Sequence, residues 1–162
     1  MIWIITTGGT IEGLEYDNES ENIVAPVSIK NLLKKTKCSV EYEIDNAFSK
    51  DSRFITQVDR ELLSTKVKAA NSEHILITHG TLTMVETAEY LGKLDMNKTI
   101  VLVGAFILAT KKDTDAPANL DFAIAALQRL EKGVYIAMNE KVLRWDKVKK
   151  NIVQNRFEEK MD

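Results

Sequence analysis

Residues 2–10 read IWIITTGGT, an apolar run that ends directly in a polar loop with two glycines. A near-continuous run of Ile and similar residues is typical of a parallel strand that is covered on both faces. Three later runs, at residues 75–77, 99–103 and 134–137, have the same apolar character. Together the four runs predict a central, mostly parallel sheet.

Helical patterns alternate with these runs. Thr56 is placed to cap one helix, and Thr83 with Glu86 forms a capping-box pair ahead of a second. A third helix fits residues 120–130, with Gly133 as its terminator. This alternation predicts a three-layer, doubly wound α/β fold with helices on both faces. Ligand sites of such folds lie at the carboxyl ends of the strands.

Composition limits the possible partners. The 162 residues are 44% hydrophobic, enough for one buried core, and 22 Lys and Arg against 24 Asp and Glu give a net charge of -2. This charge balance favours neither nucleic acid nor an anionic membrane surface, and the apolar runs are far shorter than the roughly 20 residues of a membrane span. We therefore expect a small-molecule or protein partner. A lone cysteine, Cys38, and the absence of a signal-peptide pattern predict a cytoplasmic location.

The loop after the first run has the composition of a reactive site. Gly8 and Gly9 permit positive φ and expose backbone N–H groups that can hold an anion or an oxyanion. Thr10 follows them, but a threonine hydroxyl is a poor nucleophile until a neighbour takes its proton. Taken alone, the motif is equally typical of a tight turn. The candidate proton acceptors are Lys98, Lys111, Lys112, Tyr16, Glu12 and Asp51.

Several motifs in a fixed order carry more information than this loop. They are TGGTI at 7–11, DSRFIT at 51–56, HGTLTMVETA at 79–88, KTIVLVGA at 98–105, DAPANL at 115–120 and VYIAMN at 134–139. This set closely resembles the N-terminal domain of the bacterial-type L-asparaginase and glutaminase family. The resemblance implies an asparaginase-like amidohydrolase that converts the side-chain amide of asparagine, or a related small amide, to acid and ammonia. It implies no cofactor and no metal.

The resemblance also implies roles for individual residues. Thr10 matches the nucleophile and Thr81 a second essential threonine, while Lys98 matches the lysine that hydrogen-bonds this second threonine. Tyr16 falls where the family has a tyrosine on a loop that closes over the site. The substrate-binding residues that the resemblance implies are Gly9, Asp51, Ser52, Gly80 and Leu82.

The chain departs from the family pattern at Leu82, where the family has an aspartate that pairs with the substrate's α-ammonium group. Such charge-assisted pairs contribute about 1.5–3 kcal/mol, so free asparagine is expected to bind roughly ten- to hundred-fold worse. Residues 106–108 replace the family's Met-Arg-Pro with Phe-Ile-Leu, which predicts an exposed apolar surface for self-association.

The domain prediction places an asparaginase N-terminal-like domain at residues 1–146. Residues 147–162 are highly charged, and we expect them to form an extension, the remnant of the family's interdomain linker, that packs loosely or meets a partner. A homo-oligomer, in the form of a dimer, is expected. Two alternatives to an active amidohydrolase stay open at this point. One is a catalytically degenerate domain that binds or senses a small molecule, and the other is a subunit completed by a separate chain.

Overall fold

A computed structural model describes residues 1–14 and 26–161, which form a six-stranded sheet and a separate two-stranded hairpin. The strands are β1 (Ile2–Thr6), β2 (Tyr42–Asn46), β3 (His74–Thr78), β4 (Thr99–Val103), β5 (Gly133–Met138), β6 (Lys141–Arg144), β7 (Val148–Asn151) and β8 (Arg156–Glu159). The helices are α1 (Ile29–Leu33), α2 (Gln57–Ala69), α3 (Met84–Lys93) and α4 (Ala116–Leu127). Short 3-10 turns lie at Thr10–Glu12 and Ser52–Phe54.

The sheet has the strand order β2-β1-β3-β4-β5-β6. Strands β1 to β5 pair in parallel, and β6 pairs antiparallel with β5. After β1 the chain forms β2, which lies on one side of β1. After β3, which pairs with β1 on the other side, the chain forms β4 and so moves away from β1. The loops that leave β1 and β3 therefore diverge, and in such sheets this divergence opens a crevice at the carboxyl ends of the two strands.

The four predicted strands are confirmed as β1, β3, β4 and β5, and they form the centre of the sheet. All five residues of β4 are buried, as are the last four of β3, because helices cover both faces. Helix α1 packs against α4, and α2 packs against α3. Each fully buried Ile, such as Ile5 or Ile77, contributes about 1.5–3 kcal/mol. The predicted three-layer α/β fold is thereby confirmed.

The helix signals are partly confirmed. Helix α2 begins after Thr56, whose hydroxyl accepts from the Asp59 N–H while the Asp59 carboxylate accepts from the Thr56 N–H. The predicted capping box of Thr83 and Glu86 is wrong, because the Thr83 hydroxyl donates to the Ser52 carbonyl oxygen at 2.7 Å and makes no cap.

The predicted end of the third helix is also wrong. Helix α4 begins at Ala116, with Pro117 in its first turn, and ends at Leu127. Gly133 does not terminate it but is the first residue of β5, with a φ of 151°. None of the helices within residues 1–14 and 26–161 is long and apolar enough to cross a membrane.

The segment after residue 146 forms the β7–β8 hairpin, whose register pairs Val148 with Glu159 and Asn151 with Arg156. Val148 and Phe157 are 0% and 3% exposed and belong to the hydrophobic core. The expected loose packing is therefore wrong for this segment, since its two apolar side chains anchor it to the domain. The domain boundary at residue 146 stays a prediction.

Candidate functional site

A small cavity lies between the loops that follow β1 and β3. Its volume is about 10 Å³, room for one water molecule. The described residues that line it are Gly9, Thr10, Leu14, Asp51, Ser52, Gly80, Thr81 and Leu82. Seven of the nine residues predicted from the sequence are in this set. The structure thus brings together three loops that are separated by about forty and then about thirty residues along the chain.

The two glycines after β1 adopt the backbone conformation that the sequence predicts, with φ of 97° for Gly8 and 90° for Gly9. A Cβ atom on Gly9 would lie 2.6 Å from the Gly80 nitrogen, and one on Gly8 would lie 2.5 Å from the Lys50 nitrogen. Both distances are too short for a side chain. Glycine is therefore required at these positions, because the β1 loop passes directly against the β3 loop at Gly9 and against the loop that follows β2 at Gly8.

Hydrogen bonds fix the backbone of Thr10. It begins a 3-10 turn, and its carbonyl oxygen accepts from the Gly13 N–H at 2.9 Å and from the Ala109 N–H at 3.1 Å. The next residue, Ile11, is fully buried and anchors the turn in the core. Thr10 itself is half-buried and borders the cavity. A fixed backbone and a partly accessible side chain are what a nucleophile requires.

Ser52 and Asp51 reach the cavity from the loop that precedes α2. The Asp51 carboxylate caps the 3-10 turn by accepting from the Arg53 N–H at 2.9 Å, and it lies 3.4 Å from the Arg53 guanidinium. The Ser52 hydroxyl oxygen accepts from the Thr83 N–H at 3.2 Å, which leaves the hydroxyl proton to donate elsewhere. Both residues are buried, at 7% and 2% exposure.

Lys98 does not belong to this site, and its predicted contact with Thr81 is wrong. Lys98 precedes β4, so it lies at the amino end of the sheet, whereas the cavity lies at the carboxyl end. A five-residue strand separates the two edges by about 15 Å. The Lys98 ammonium group donates to the carbonyl oxygens of Val67 and Ala70, at 2.7 Å each, and so caps the end of α2.

The lysine that contacts Thr81 is Lys150, on strand β7. Its Nζ atom donates to the Thr81 hydroxyl oxygen at 3.3 Å. Burial lowers the pKa of Lys150, and the Glu86 carboxylate opposes part of this effect. Sequence reasoning missed this residue because it assigned residues 147–162 to a loosely packed charged extension. The signal that could have found it is the pattern of two apolar anchors, at Val148 and Phe157, on either side of a turn.

The ring of Phe106 lies against the ammonium group of Lys150. The Lys150 ammonium lies 5.7 Å from the centre of the Phe106 ring, and the Phe106 and Phe157 rings lie 5.8 Å apart. Residues 106–108 are half-buried. The prediction of an exposed apolar surface is therefore wrong for Phe106, whose ring packs against Phe157 of the hairpin. Self-association through Ile107 and Leu108 stays a prediction.

Glu12 is a second ionisable group beside the β1 loop. It is 4% exposed, and its Oε1 atom accepts from the Gly8 N–H at 2.9 Å and from the Thr78 hydroxyl at 3.3 Å. Burial raises the pKa of Glu12 to about 7, although these two hydrogen bonds favour the charged form. The carboxyl group ties the glycine loop to the end of β3.

Tyr16 lies outside the described residues. Leu82 lines the cavity and is half-buried, so the position where the family has an aspartate presents an apolar side chain. Among residues 1–14 and 26–161, no group of three or more His, Cys, Asp or Glu side chains could hold a metal ion.

A larger groove of about 790 Å³ lies between residues 37–40 and α4. It contains none of the predicted residues. Two of its polar side chains are engaged within the protein: Asp115 accepts from the Phe106 and Ile107 N–H groups, and Asn119 donates to the Gly104 carbonyl. We assign the site to the smaller cavity, because that cavity holds two threonine hydroxyls and the contact with Lys150.

Comparison with known proteins agrees with this architecture. The family model described as "Asparaginase, N-terminal" matches residues 1–157. A glutaminase-asparaginase of Acinetobacter glutaminasificans is 34% identical over 164 residues, covering 92% of this chain and 49% of the relative. A probable periplasmic L-asparaginase of Haemophilus influenzae is 33% identical, covering 88% of this chain and 44% of the relative.

Solved structures show the same relation. The probable cytoplasmic L-asparaginase of Campylobacter jejuni has a TM-score of 0.81 at 30% identity, covering 98% of this chain and 52% of that one. The thermostable L-asparaginase of Thermococcus kodakarensis has a TM-score of 0.83 at 26% identity, covering 98% and 50%. The chain spans about half the length of the relatives that it matches. On the sequence match and the shared fold, this chain belongs to the asparaginase family and corresponds to its N-terminal domain.

Proposed function

We propose that this domain hydrolyses the side-chain amide of asparagine or of a related small amide, with Thr10 as the nucleophile. The observation that carries the proposal is the contact between the Lys150 ammonium and the Thr81 hydroxyl, at 3.3 Å, beside a cavity that Thr10 also lines. A hydroxyl group acts as a nucleophile or proton carrier only when a base is within reach. Family membership supports amide hydrolysis as the reaction.

The proposed reaction has two steps. The Thr10 oxygen attacks the amide carbon, and the carbonyl electrons move to the oxygen, which backbone N–H groups stabilise. The Gly8 N–H is not one of them, because it donates to Glu12. Collapse of this intermediate breaks the C–N bond, and the nitrogen leaves as ammonia after it takes up a proton. Water then attacks the acyl-threonine ester, which releases the acid and restores the Thr10 hydroxyl.

Lys150 and Thr81 move the proton in this proposal. Because burial lowers the pKa of Lys150, a larger fraction of this amine is neutral than for an exposed lysine. A neutral Nζ atom can accept the proton that leaves the attacking hydroxyl, through the hydroxyl of Thr81. The same amine then returns the proton to the departing nitrogen.

Leu82 bears on the substrate. Asp51 is engaged by Arg53, and Leu82 is apolar, so neither residue offers the cavity a free carboxylate for a substrate ammonium group. We therefore expect small amides without a free α-ammonium group, such as succinamate, to be better substrates than asparagine.

The experiment measures ammonia release from asparagine, glutamine, succinamate and N-acetylasparagine. Thr10→Ala and Lys150→Met should each lower kcat by at least a hundred-fold, while Lys149→Met should not, because Lys149 is exposed and pairs with Glu158 at 3.6 Å. Wild-type protein that is as inactive as Thr10→Ala on every amide contradicts the proposal. Binding of an amide without ammonia release would instead support a degenerate binding domain, which Leu82 favours.

The identity of the nucleophile has its own test. Thr81 is the cavity threonine whose hydroxyl contacts an amine, so it is the second candidate. Acid quenching during turnover, followed by peptide mass spectrometry, locates the acyl group. An adduct on the peptide that contains Thr10 supports the proposal, and an adduct on Thr81 replaces it. The predicted homo-oligomer and cytoplasmic location stay predictions, and the names of the relatives include both cytoplasmic and periplasmic proteins.

A further inference from the structure

A chain of hydrogen bonds runs from helix α2 to the cavity. The Arg60 Nε atom donates to the Thr87 hydroxyl oxygen at 2.9 Å, and the same hydroxyl lies 2.8 Å from the His79 Nε2 atom. The other ring nitrogen, Nδ1, lies 2.6 Å from the Gly80 carbonyl oxygen. Thr87 and His79 are both fully buried, so water cannot replace these contacts.

The chemistry of the end groups determines the direction of the two outer bonds in this chain. A carbonyl oxygen can only accept, so His79 Nδ1 carries a proton and donates it to Gly80. Arg60 can only donate, so the Thr87 oxygen accepts from Arg60. The Thr87 hydroxyl proton is then available to His79 Nε2. The arrangement is satisfied throughout when His79 is neutral with its proton on Nδ1.

The surroundings of His79 disfavour a doubly protonated ring at neutral pH. Burial lowers the pKa of His79 to about 4, and the positive charge of Arg60 adds to this effect. A neutral ring needs a donor at Nε2, and Thr87 is the group that supplies it. The three side chains therefore depend on one another.

The bond to Gly80 has a consequence for the cavity. The peptide that joins Gly80 to Thr81 is trans, so its N–H group points opposite to its carbonyl group. Holding the Gly80 carbonyl against the His79 ring therefore sets the orientation of the Thr81 N–H. Gly80 also packs closely against Ser52, and no side chain would fit there, since a Cβ atom would lie 2.9 Å from the Ser52 side chain.

We propose that Arg60 and Thr87 are positioning residues that hold His79 in the Nδ1–H form, so that His79 fixes the Gly80–Thr81 peptide in the cavity. These residues do not touch a substrate; they act through the peptide that carries Thr81. The effect on turnover rests on the proposed function, whereas the effect on His79 and on the peptide does not.

Imidazole nitrogen spectra of uniformly ¹⁵N-labelled protein test the direction of the bonds. The sequence has two histidines, so the signals of His79 are assigned by comparison with His74→Gln. We expect His79 to be neutral at pH 7 with its proton on Nδ1. A proton on Nε2, or a charged ring, would overturn the proposal whether or not the protein hydrolyses amides.

Thr87→Val, which removes the hydroxyl while keeping the shape, tests the positioning. It should shift the amide signals of Gly80 and Thr81 and lower kcat about ten-fold with little change in KM, and Thr87→Ser should restore both. The matched control is Thr99→Val, a buried threonine at the opposite end of the sheet. If Thr87→Val leaves the Gly80 and Thr81 signals as unchanged as the control does, the proposal is wrong. Arg60→Met gives a second test should Thr87→Val fail to fold.

Discussion

The buried carboxyl group of Glu12 makes the stability of this domain depend on pH in a defined way. Its native pKa of about 7 lies above the ordinary value of 4.5, mainly because of burial. Between these two values the native protein therefore binds more protons than the unfolded chain. The stability contribution of Glu12 is present in full below pH 4.5 and is lost as the pH rises through about 7.

Glu12→Gln removes this dependence. A glutamine side chain keeps an oxygen that accepts from the Gly8 N–H and from the Thr78 hydroxyl, but it cannot ionise. The unfolding free energy of the wild type should fall by about 2.5 kcal/mol between about pH 5 and about pH 8 because Glu12 ionises. The variant should not show this fall. Any fixed cost of the extra amide protons is the same at both pH values, so it cancels from this comparison.

Urea unfolding, followed by the fluorescence of Trp3 and Trp145, measures the difference between variant and wild type at each pH. The control is Glu43→Gln, the same chemical change at an exposed position on β2. Its difference from wild type should stay within about 0.5 kcal/mol at every pH. If the difference for Glu12→Gln is as constant with pH as that of the control, Glu12 is charged in the native protein and the reasoning from burial fails.

Three further substitutions test other parts of the structure. Leu82→Asp should raise kcat/KM for asparagine relative to succinamate by about ten- to hundred-fold, because it supplies a carboxylate for the ammonium group of asparagine. An unchanged ratio of the two kcat/KM values would refute this prediction. Thr56→Ala should lower the unfolding free energy by about 1 kcal/mol through loss of the capping box, whereas Thr65→Ala, in the same helix but exposed, should cause no such loss in urea unfolding. Phe157→Ala should lower the unfolding free energy by about 3 kcal/mol in the same assay. Ile152, at the tip of the hairpin, is 79% exposed, so Ile152→Ala should lower it by less than about 0.5 kcal/mol. Equal losses would show that the hairpin is not anchored by its buried side.

The central sheet could be predicted from the sequence because its strands are covered on both faces and consist of Ile, Val and Leu. Strand β2 could not be predicted in this way. Its sequence, Tyr42–Asn46, contains Glu43 and Asp45, and it lies at the edge of the sheet where one side meets solvent. Edge strands have a mixed composition that resembles a loop, and only the pairing with β1 shows that they are strands.

The loops of the site could be predicted because their glycines and threonines follow strands that run in the same direction. Parallel strands bring their carboxyl ends to one edge of the sheet, so Thr10, Gly80 and Thr81 meet without any long-range information. The same rule argues against Lys98. A residue that precedes β4 must lie at the other edge, which the order of Lys98 and Thr99 already shows in the sequence.

The lysine of the site comes from the part of the chain where local patterns carry the least information. In β7 the residues alternate, so Val148 and Lys150 lie on the same side of the strand, and the complete burial of Val148 determines that this side faces the domain. Lys149 lies on the opposite side and is exposed. Two adjacent lysines in one charged run thus differ in burial and in contacts, because successive residues of a strand point to opposite sides. The contrast between Lys150→Met and Lys149→Met is therefore a test of the strand register as well as of the chemistry.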